Sequence, residues 1–177
     1  YIHHGDVCDL SALPPAFGRS LRAGLVLFGI RPSENSMLRG FEPERVLVFR
    51  TSVSLVKDLP RGATVGYGRT FRLEKDSKIA LLSVGYGDGV PREGGGRMSV
   101  LIRGVRVPVI GRVSMDQAAV DAGGLDRVRE GDEAVIVGPC GGDEISMEEY
   151  CGRLGITPAQ ALTSITKRVA RFYKTLY

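Results

Sequence analysis

Short apolar runs broken by glycine turns dominate the chain from Val46 onward. Val46–Val56 alternates imperfectly between apolar and polar positions and predicts a long strand. Lys78–Val84, Met98–Ile102, Val105–Ile110, Gln117–Val120 and Ala134–Val137 predict short strands, most of them separated by Gly or Asp-Gly turns. Regularly spaced short strands with turn signals point to an all-β barrel or sandwich. The pattern changes near the end. Ser146-Met147-Glu148-Glu149 reads as a capping box, which opens a helix that should stop near Gly155. Thr157-Pro158-Ala159-Gln160 is a second start signal, with proline at the first helical position. Arg168–Tyr173 is a candidate last strand.

The first part of the chain reads differently. Leu21–Gly29 is an apolar run with one arginine near its start and a glycine at its end. Such a run suits a strand buried on both faces, as in a parallel sheet, and periodicity alone does not separate it from a helix. Pro14, Pro15 and Gly18 break any helix before it. Residues 31–44 are polar, with two prolines and a glycine, and read as a linker. A length of 177 residues accommodates one full domain plus a piece of another. The expected division is residues 1–40 as that piece with its linker and 41–177 as the β domain.

Charge and composition narrow the functional classes. Lys and Arg total 24 against 20 Asp and Glu, and the excess of +4 is spread without a basic block, which argues against nucleic acid. No run of about 18 apolar residues exists, so no membrane span is expected in this segment. The chain opens at Tyr1 without methionine or a visible signal peptide and is read as a fragment. Cys8, Cys140 and Cys151 form no CxxC pair and read as free thiols in a reducing compartment. His3 and His4 are adjacent near the start, and no local zinc pattern accompanies them, so no metal is expected.

Three motifs carry the candidate chemistry. They are Val65-Gly66-Tyr67-Gly68-Arg69-Thr70-Phe71, then Val84-Gly85-Tyr86-Gly87-Asp88-Gly89-Val90-Pro91-Arg92, then Val109-Ile110-Gly111-Arg112-Val113-Ser114-Met115-Asp116-Gln117. Glycines on both sides of Tyr67 let the backbone turn sharply and approach another surface. Arg69 and Arg72 follow closely, and cations beside a phenol favour its ionised form, so Tyr67 is suited to act as a general base. Taken alone, the same heptapeptide is a turn tyrosine packed on a sheet edge. Likewise Asp88-Gly89 is a tight turn, Met115 a core gap-filler, and Arg112 with Asp116 a surface ion pair.

In that order the three motifs resemble the C-terminal half of the alanine racemases, pyridoxal-phosphate enzymes of fold type III, and the resemblance runs from about Leu21 to the end. It implies a mostly β fold: a β-barrel-like C-terminal domain with short helices near its end, preceded by the last fragment of a (β/α)8 barrel. It also implies a homodimer with active sites shared between subunits, in which Tyr67 serves the partner's site and exchanges the α-proton of the L-enantiomer. A cofactor lysine on the opposite face serves the D-enantiomer. Two bases on opposite faces are a simple way to invert a centre that must lose a proton on one side and gain it on the other.

By the same resemblance Met115 and Asp116 bind the substrate, the main-chain N–H of Met115 meeting its carboxylate, as charge-assisted hydrogen bonds from amides permit. Tyr86, Arg92, Arg112 and Ile165 line a narrow entrance, whose arginines attract an anionic carboxylate. Arg22 meets the pyridine nitrogen of the cofactor; arginine only donates, so that nitrogen stays unprotonated. Gly24 and Leu25 offer main-chain N–H groups to the cofactor phosphate. Lys167 stands where well-studied members have a tyrosine against the phosphate, and as a point charge it suits the same anion. It also changes the pocket wall, which leaves alanine, serine and other amino acids open as substrates. The family's usual Asn-Ser pair before the arginine strand has Gly5-Asp6 as its nearest counterpart, and an aspartate repels phosphate.

The Schiff-base lysine lies in the family's N-terminal half and is absent from this chain, so the isolated fragment is expected to be inactive. The full-length protein would interconvert L- and D-alanine in a bacterial cytoplasm and supply D-alanine to peptidoglycan. A free-standing β module for dimerisation or binding, its motifs serving only as turns, is the alternative.

Overall fold

The computed structural model describes residues 24–30 and 43–174, and these fall into two compact units that divide between Leu47 and Val48. In the first unit the apolar run forms a 3-10 turn over Leu25–Phe28, not the strand expected over Leu21–Gly29. Its hydrogen bonds are local, from Leu27 N–H to Gly24 O, Gly29 N–H to Val26 O and Ile30 N–H to Leu25 O. Gly29, at φ +72°, ends the turn in the left-handed region where glycine carries no Cβ penalty. The apolar pattern fits strand and helix alike, and with no ladder partner among the described residues the backbone satisfies itself within the turn.

The second unit is mostly β. Its strands are β1 (Phe49–Leu59), β2 (Thr64–Val65), β3 (Phe71–Arg72), β4 (Ser77–Leu82), β5 (Ser99–Ile102), β6 (Val105–Ile110), β7 (Ala118–Asp121), β8 (Glu133–Cys140) and β9 (Asp143–Ile145). Two helices follow, α1 (Met147–Leu154) and α2 (Pro158–Ser164). The large sheet is antiparallel with order β1-β4-β7-β6-β5-β8-β9, and β1 also pairs with β8, so the sheet closes on itself. Closure depends on the length of β1. Residues 49–52 pair with β8 and residues 53–59 with β4, and register shifts occur at Phe49/Arg50 and between Val53 and Leu55. Such irregularities bend a strand and increase its twist, which a closed sheet requires.

Buried strand side chains form the core: Val53, Leu82, Val100, Ile102, Val109, Val120, Val135 and Ile136 are all essentially inaccessible. The β5–β6 hairpin turns through Arg103 and Gly104, both at positive φ (53° and 78°), as tight two-residue hairpins demand. The Arg103 guanidinium donates to Asp132 Oδ1 at 2.8 Å, and Arg129 N–H donates to Asp132 Oδ2 at 3.0 Å. Asp132 holds the closing seam: its carbonyl accepts from Val53 N–H at 2.9 Å, where β1 changes partners. Burial alone would raise the Asp132 pKa, but these donors and the two arginine charges outweigh it and hold the carboxyl below its ordinary value. A depressed folded pKa means that the stabilisation is complete above the unfolded value of about 3.9 and fades as pH falls through the lower folded value. Asp132→Asn should therefore cost about 1–2 kcal/mol at pH 7, with a smaller gap from wild type in urea unfolding at pH 3. An equal gap at both pH values would contradict this.

Both helix signals hold. Ser146 Oγ accepts from Glu149 N–H at 3.0 Å, and Gly155 ends α1 at φ +70°. Thr157 Oγ1 accepts from Gln160 N–H at 3.2 Å, with Pro158 opening α2. Gly152 lies exposed within α1, and an added Cβ there meets nothing within 4 Å. Gly152→Ala should raise unfolding stability by about 0.5–1 kcal/mol in urea titration; a loss would mean that this face of α1 is covered.

The strand expected over Arg168–Tyr173 does not form; the segment is irregular. The Arg171 guanidinium instead reaches the carbonyls of Ile165 (3.0 Å), Thr166 (3.1 Å) and Val169 (3.2 Å), folding the chain back on itself. Side-chain donors thus take the place of a ladder. Cys140 and Cys151 are free thiols, and burial, with Glu148 adding, pushes Cys151 up to about 11, which keeps it protonated and inert. Cys8, the histidine pair and Gly5-Asp6 lie outside the described residues.

Candidate functional site

The Tyr67 turn is held from below by its flanks. Val65 and Leu73 bury against Ile79, Ile110 and Ala119, with Phe71 packed on the same cluster. This anchors the β2–β3 hairpin to β4, β6 and β7 while Tyr67 remains 69% exposed at its tip. Within the turn Gly66, Gly68 and Arg69 have φ of 81°, 75° and 51°, a conformation that the two glycines make accessible. Arg69 is the non-glycine among them, an uncommon conformation for an L residue.

The three motifs, distant in sequence, meet at their backbones. A Cβ at Gly66 would lie 2.8 Å from Arg112 N, and one at Gly111 would lie 2.7 Å from Val65 O. The first and third motifs therefore touch main chain to main chain. The second docks on the third through Tyr86 N–H to Ser114 O (3.0 Å), Gly87 N–H to Met115 O (2.9 Å) and Val113 N–H to Arg92 O (3.2 Å). A side chain at Gly85 would be driven into the carbonyl oxygens of Ser114 and Met115. The Asp88 carboxylate accepts from Gly85 N–H at 2.9 Å and fixes the Tyr86 turn. The end of α2 and the segment after it dock on that turn: Thr166 Oγ1 donates to Gly87 O at 2.8 Å and Ser164 Oγ to Gly89 O at 3.1 Å.

Tyr67, Tyr86, Arg92, Arg112, Met115, Asp116, Ile165 and Lys167 are thereby borne by loops that pack directly on one another in the second unit. Arg112 extends over the Tyr67 turn, with Nη1 3.3 Å from the Cβ position of Gly68. Arg72, expected beside Tyr67, turns to the Gly62 carbonyl at 2.8 Å, so Arg112 supplies a cation at the turn in its place. Tyr86 and Met115 are exposed, at 45% and 50%. The Met115 carbonyl is engaged by Gly87, whereas its N–H donates to no acceptor among the described residues. Ser114 Oγ bridges the Gln117 carbonyl and N–H (2.9 and 3.1 Å), so the turn presenting that N–H is closed by its own side chain.

Gly24 and Leu25 lie in the first unit, at the start of its 3-10 turn; Arg22 lies outside the described residues. One residue of this loop cluster, Arg168, carries no functional signal in the sequence. Arg168 donates from Nη2 to Asp116 Oδ1 at 2.5 Å and places Nε 3.3 Å from Asp88 Oδ1. Its partners lie in other motifs, and no local spacing rule links them. Among the described residues no group of three or more His, Cys, Asp or Glu is arranged to hold a metal ion, and no helix is long and apolar enough to cross a membrane.

Residues 46–173 match the family described as the C-terminal domain of alanine racemase, and the chain belongs to that family. An alanine racemase from Desulfosudis oleivorans is 37% identical over 171 residues, covering 97% of this chain and 44% of that protein. The chain thus spans less than half the length of this relative. Among solved structures, alanine racemase from E. faecalis superposes with a TM-score of 0.81 at 28% identity, covering 87% of this chain and 41% of the other. Alanine racemase from Bartonella henselae, with covalently bound pyridoxal phosphate, gives 0.77 at 29% identity, covering 85% and 40%.

Proposed function

We propose that this chain forms the C-terminal part of an enzyme that interconverts L- and D-alanine with pyridoxal phosphate, and that Tyr67 is its L-face base. The observation that carries the reading is the convergence of the three motifs, with an exposed phenol, an available Met115 N–H and two entrance arginines on mutually packed loops. Met115 N–H would receive the substrate carboxylate beside Asp116. Arg92 and Arg112, with Tyr86 and Ile165, would form the entrance and draw in an anionic group. The proposed working form is a homodimer with shared sites; the exposure of Tyr67 at the tip of its turn suits a base delivered to a second subunit.

The residues present fit the cofactor. The turn at Leu25–Phe28 leaves its leading N–H groups unused by its own hydrogen bonding, and a Cβ at Gly24 meets nothing within 4 Å. Open backbone donors at the start of a turn suit a phosphate. Gly24 and Leu25 would hold it, with Arg22 as the donor to the ring nitrogen. When bound, pyridoxal phosphate supplies the electron sink that makes the α-proton removable. Residues 1–40 would then be the closing part of a (β/α)8 barrel and 41–177 the β domain. The isolated chain, without the cofactor lysine, would be inactive. In the cell the product would be D-alanine for peptidoglycan, made in the cytoplasm.

The test is D-alanine formation from L-alanine by the full-length protein with pyridoxal phosphate, with L-serine and L-lysine in parallel. Turnover of alanine supports the reading. Turnover of another amino acid alone keeps the chemistry and changes the substrate; turnover of none favours the non-catalytic module.

A further inference from the structure

We infer that Arg168 is a positioning residue for substrate binding: it clamps Asp116 and Asp88 together and cancels the Asp116 charge beside the amide that takes the substrate carboxylate. The inference rests on the proposed racemase site and deepens it. Arg168 bridges two carboxylates from different motifs, at 2.5 Å to Asp116 and 3.3 Å to Asp88. Asp88 is already committed to the Tyr86 turn through Gly85 N–H. Its position is therefore fixed, and Arg168 transmits that position to Asp116. Gly87 supplies the room, because a Cβ there would lie 2.5 Å from Arg168 Nη1. Thr166, two residues earlier, binds the Gly87 carbonyl, so the backbone carrying Arg168 is itself docked on the Tyr86 turn.

The electrostatic consequence follows from sequence adjacency. Asp116 is the residue after Met115, and its side chain is 63% exposed. An uncompensated carboxylate there would repel an incoming substrate carboxylate. Paired with Arg168, it does not. Each ion pair is partly exposed, so its contribution to folding is small. Its effect on an anion arriving at the neighbouring amide is the larger one, because removing Arg168 both frees the Met115–Asp116 turn and exposes a like charge.

The test compares full-length wild type, Arg168→Ala, Arg168→Lys and the Arg168→Ala/Asp116→Asn double variant. KM and kcat for both alanine enantiomers are measured, together with the dissociation constant of propionate, which has the carboxylate without the amino group. Arg168→Ala should raise KM and the propionate constant by about five- to tenfold at low salt, with kcat changed much less and the effect shrinking as salt rises. Arg168→Lys should restore part of the loss by charge, and Asp116→Asn should restore part by removing the repulsion. The inference is overturned if Arg168→Ala lowers kcat with KM and propionate binding unchanged, or if neither second change restores anything. A wild type that racemises no amino acid overturns the site reading itself, and the inference with it. If Arg168→Ala does not fold, the lysine variant and the salt dependence of wild-type propionate binding decide: weaker binding by the lysine variant supports the clamp, and equal binding at all salt concentrations overturns it.

Discussion

Gly85→Ala should destabilise the β domain by about 2–4 kcal/mol and pull the Tyr86 turn away from Met115. The cause is space, because Gly85 has extended backbone (φ −149°, ψ −164°) that alanine adopts freely. The added methyl would meet the carbonyl oxygens of Ser114 and Met115, which are main chain and cannot rotate aside. Relief requires separating the two loops, which breaks Tyr86 N–H to Ser114 O and Gly87 N–H to Met115 O. Urea unfolding should show the loss, and KM for alanine should rise because the Met115 amide moves. Gly124→Ala is the matched control: nothing lies within 4 Å of its Cβ position, and little change is expected. Equal stability of the two variants would contradict the docking of the second motif on the third.

Tyr67→Phe should lower the rate of α-proton removal from L-alanine by about 10²–10⁴-fold, the usual worth of a positioned general base. The ring is 69% exposed and its flanking residues Val65 and Phe71 carry the packing, so loss of the hydroxyl should leave folding stability unchanged. Racemisation in both directions should fall together, because each direction needs a base on each face. Exchange of the D-enantiomer's α-proton with solvent uses only the opposite face and should survive.

Local signals in the sequence carried much of this fold. The capping serine and threonine, the closing Gly155 and the glycine turn between the strands at Met98–Ile102 and Val105–Ile110 each act through neighbours within a few residues, and each is present in the structure. The apolar pattern places β1 three residues early, since Val46 and Val48 continue it before the ladder begins at Phe49. The two-residue strands β2 and β3 and the polar β9 carry no alternation of their own, because their pairing comes from what they dock on. The Leu25–Phe28 turn and the irregular Arg168–Tyr173 segment mark the same limit: apolar or mixed runs need a ladder partner to become strands, and neither has one among the described residues.

The glycine-flanked tyrosines and the segment over residues 111–117 are legible as motifs in the sequence. Their convergence is not, since it depends on sheet order and on glycines whose absent side chains admit another loop's backbone. Arg168 shows the point most clearly, because both its partners lie in other motifs and nothing in its own neighbourhood distinguishes it from the other arginines.

The central claim is that Tyr67 is the L-face base of a two-base racemase. The direct measurement is α-proton exchange in deuterated water, for L-alanine and D-alanine separately, with full-length wild type and Tyr67→Phe. Loss of exchange from L-alanine with exchange from D-alanine retained is the expected result. Exchange of both enantiomers at wild-type rates in Tyr67→Phe, or loss of exchange from D-alanine alone, would contradict it.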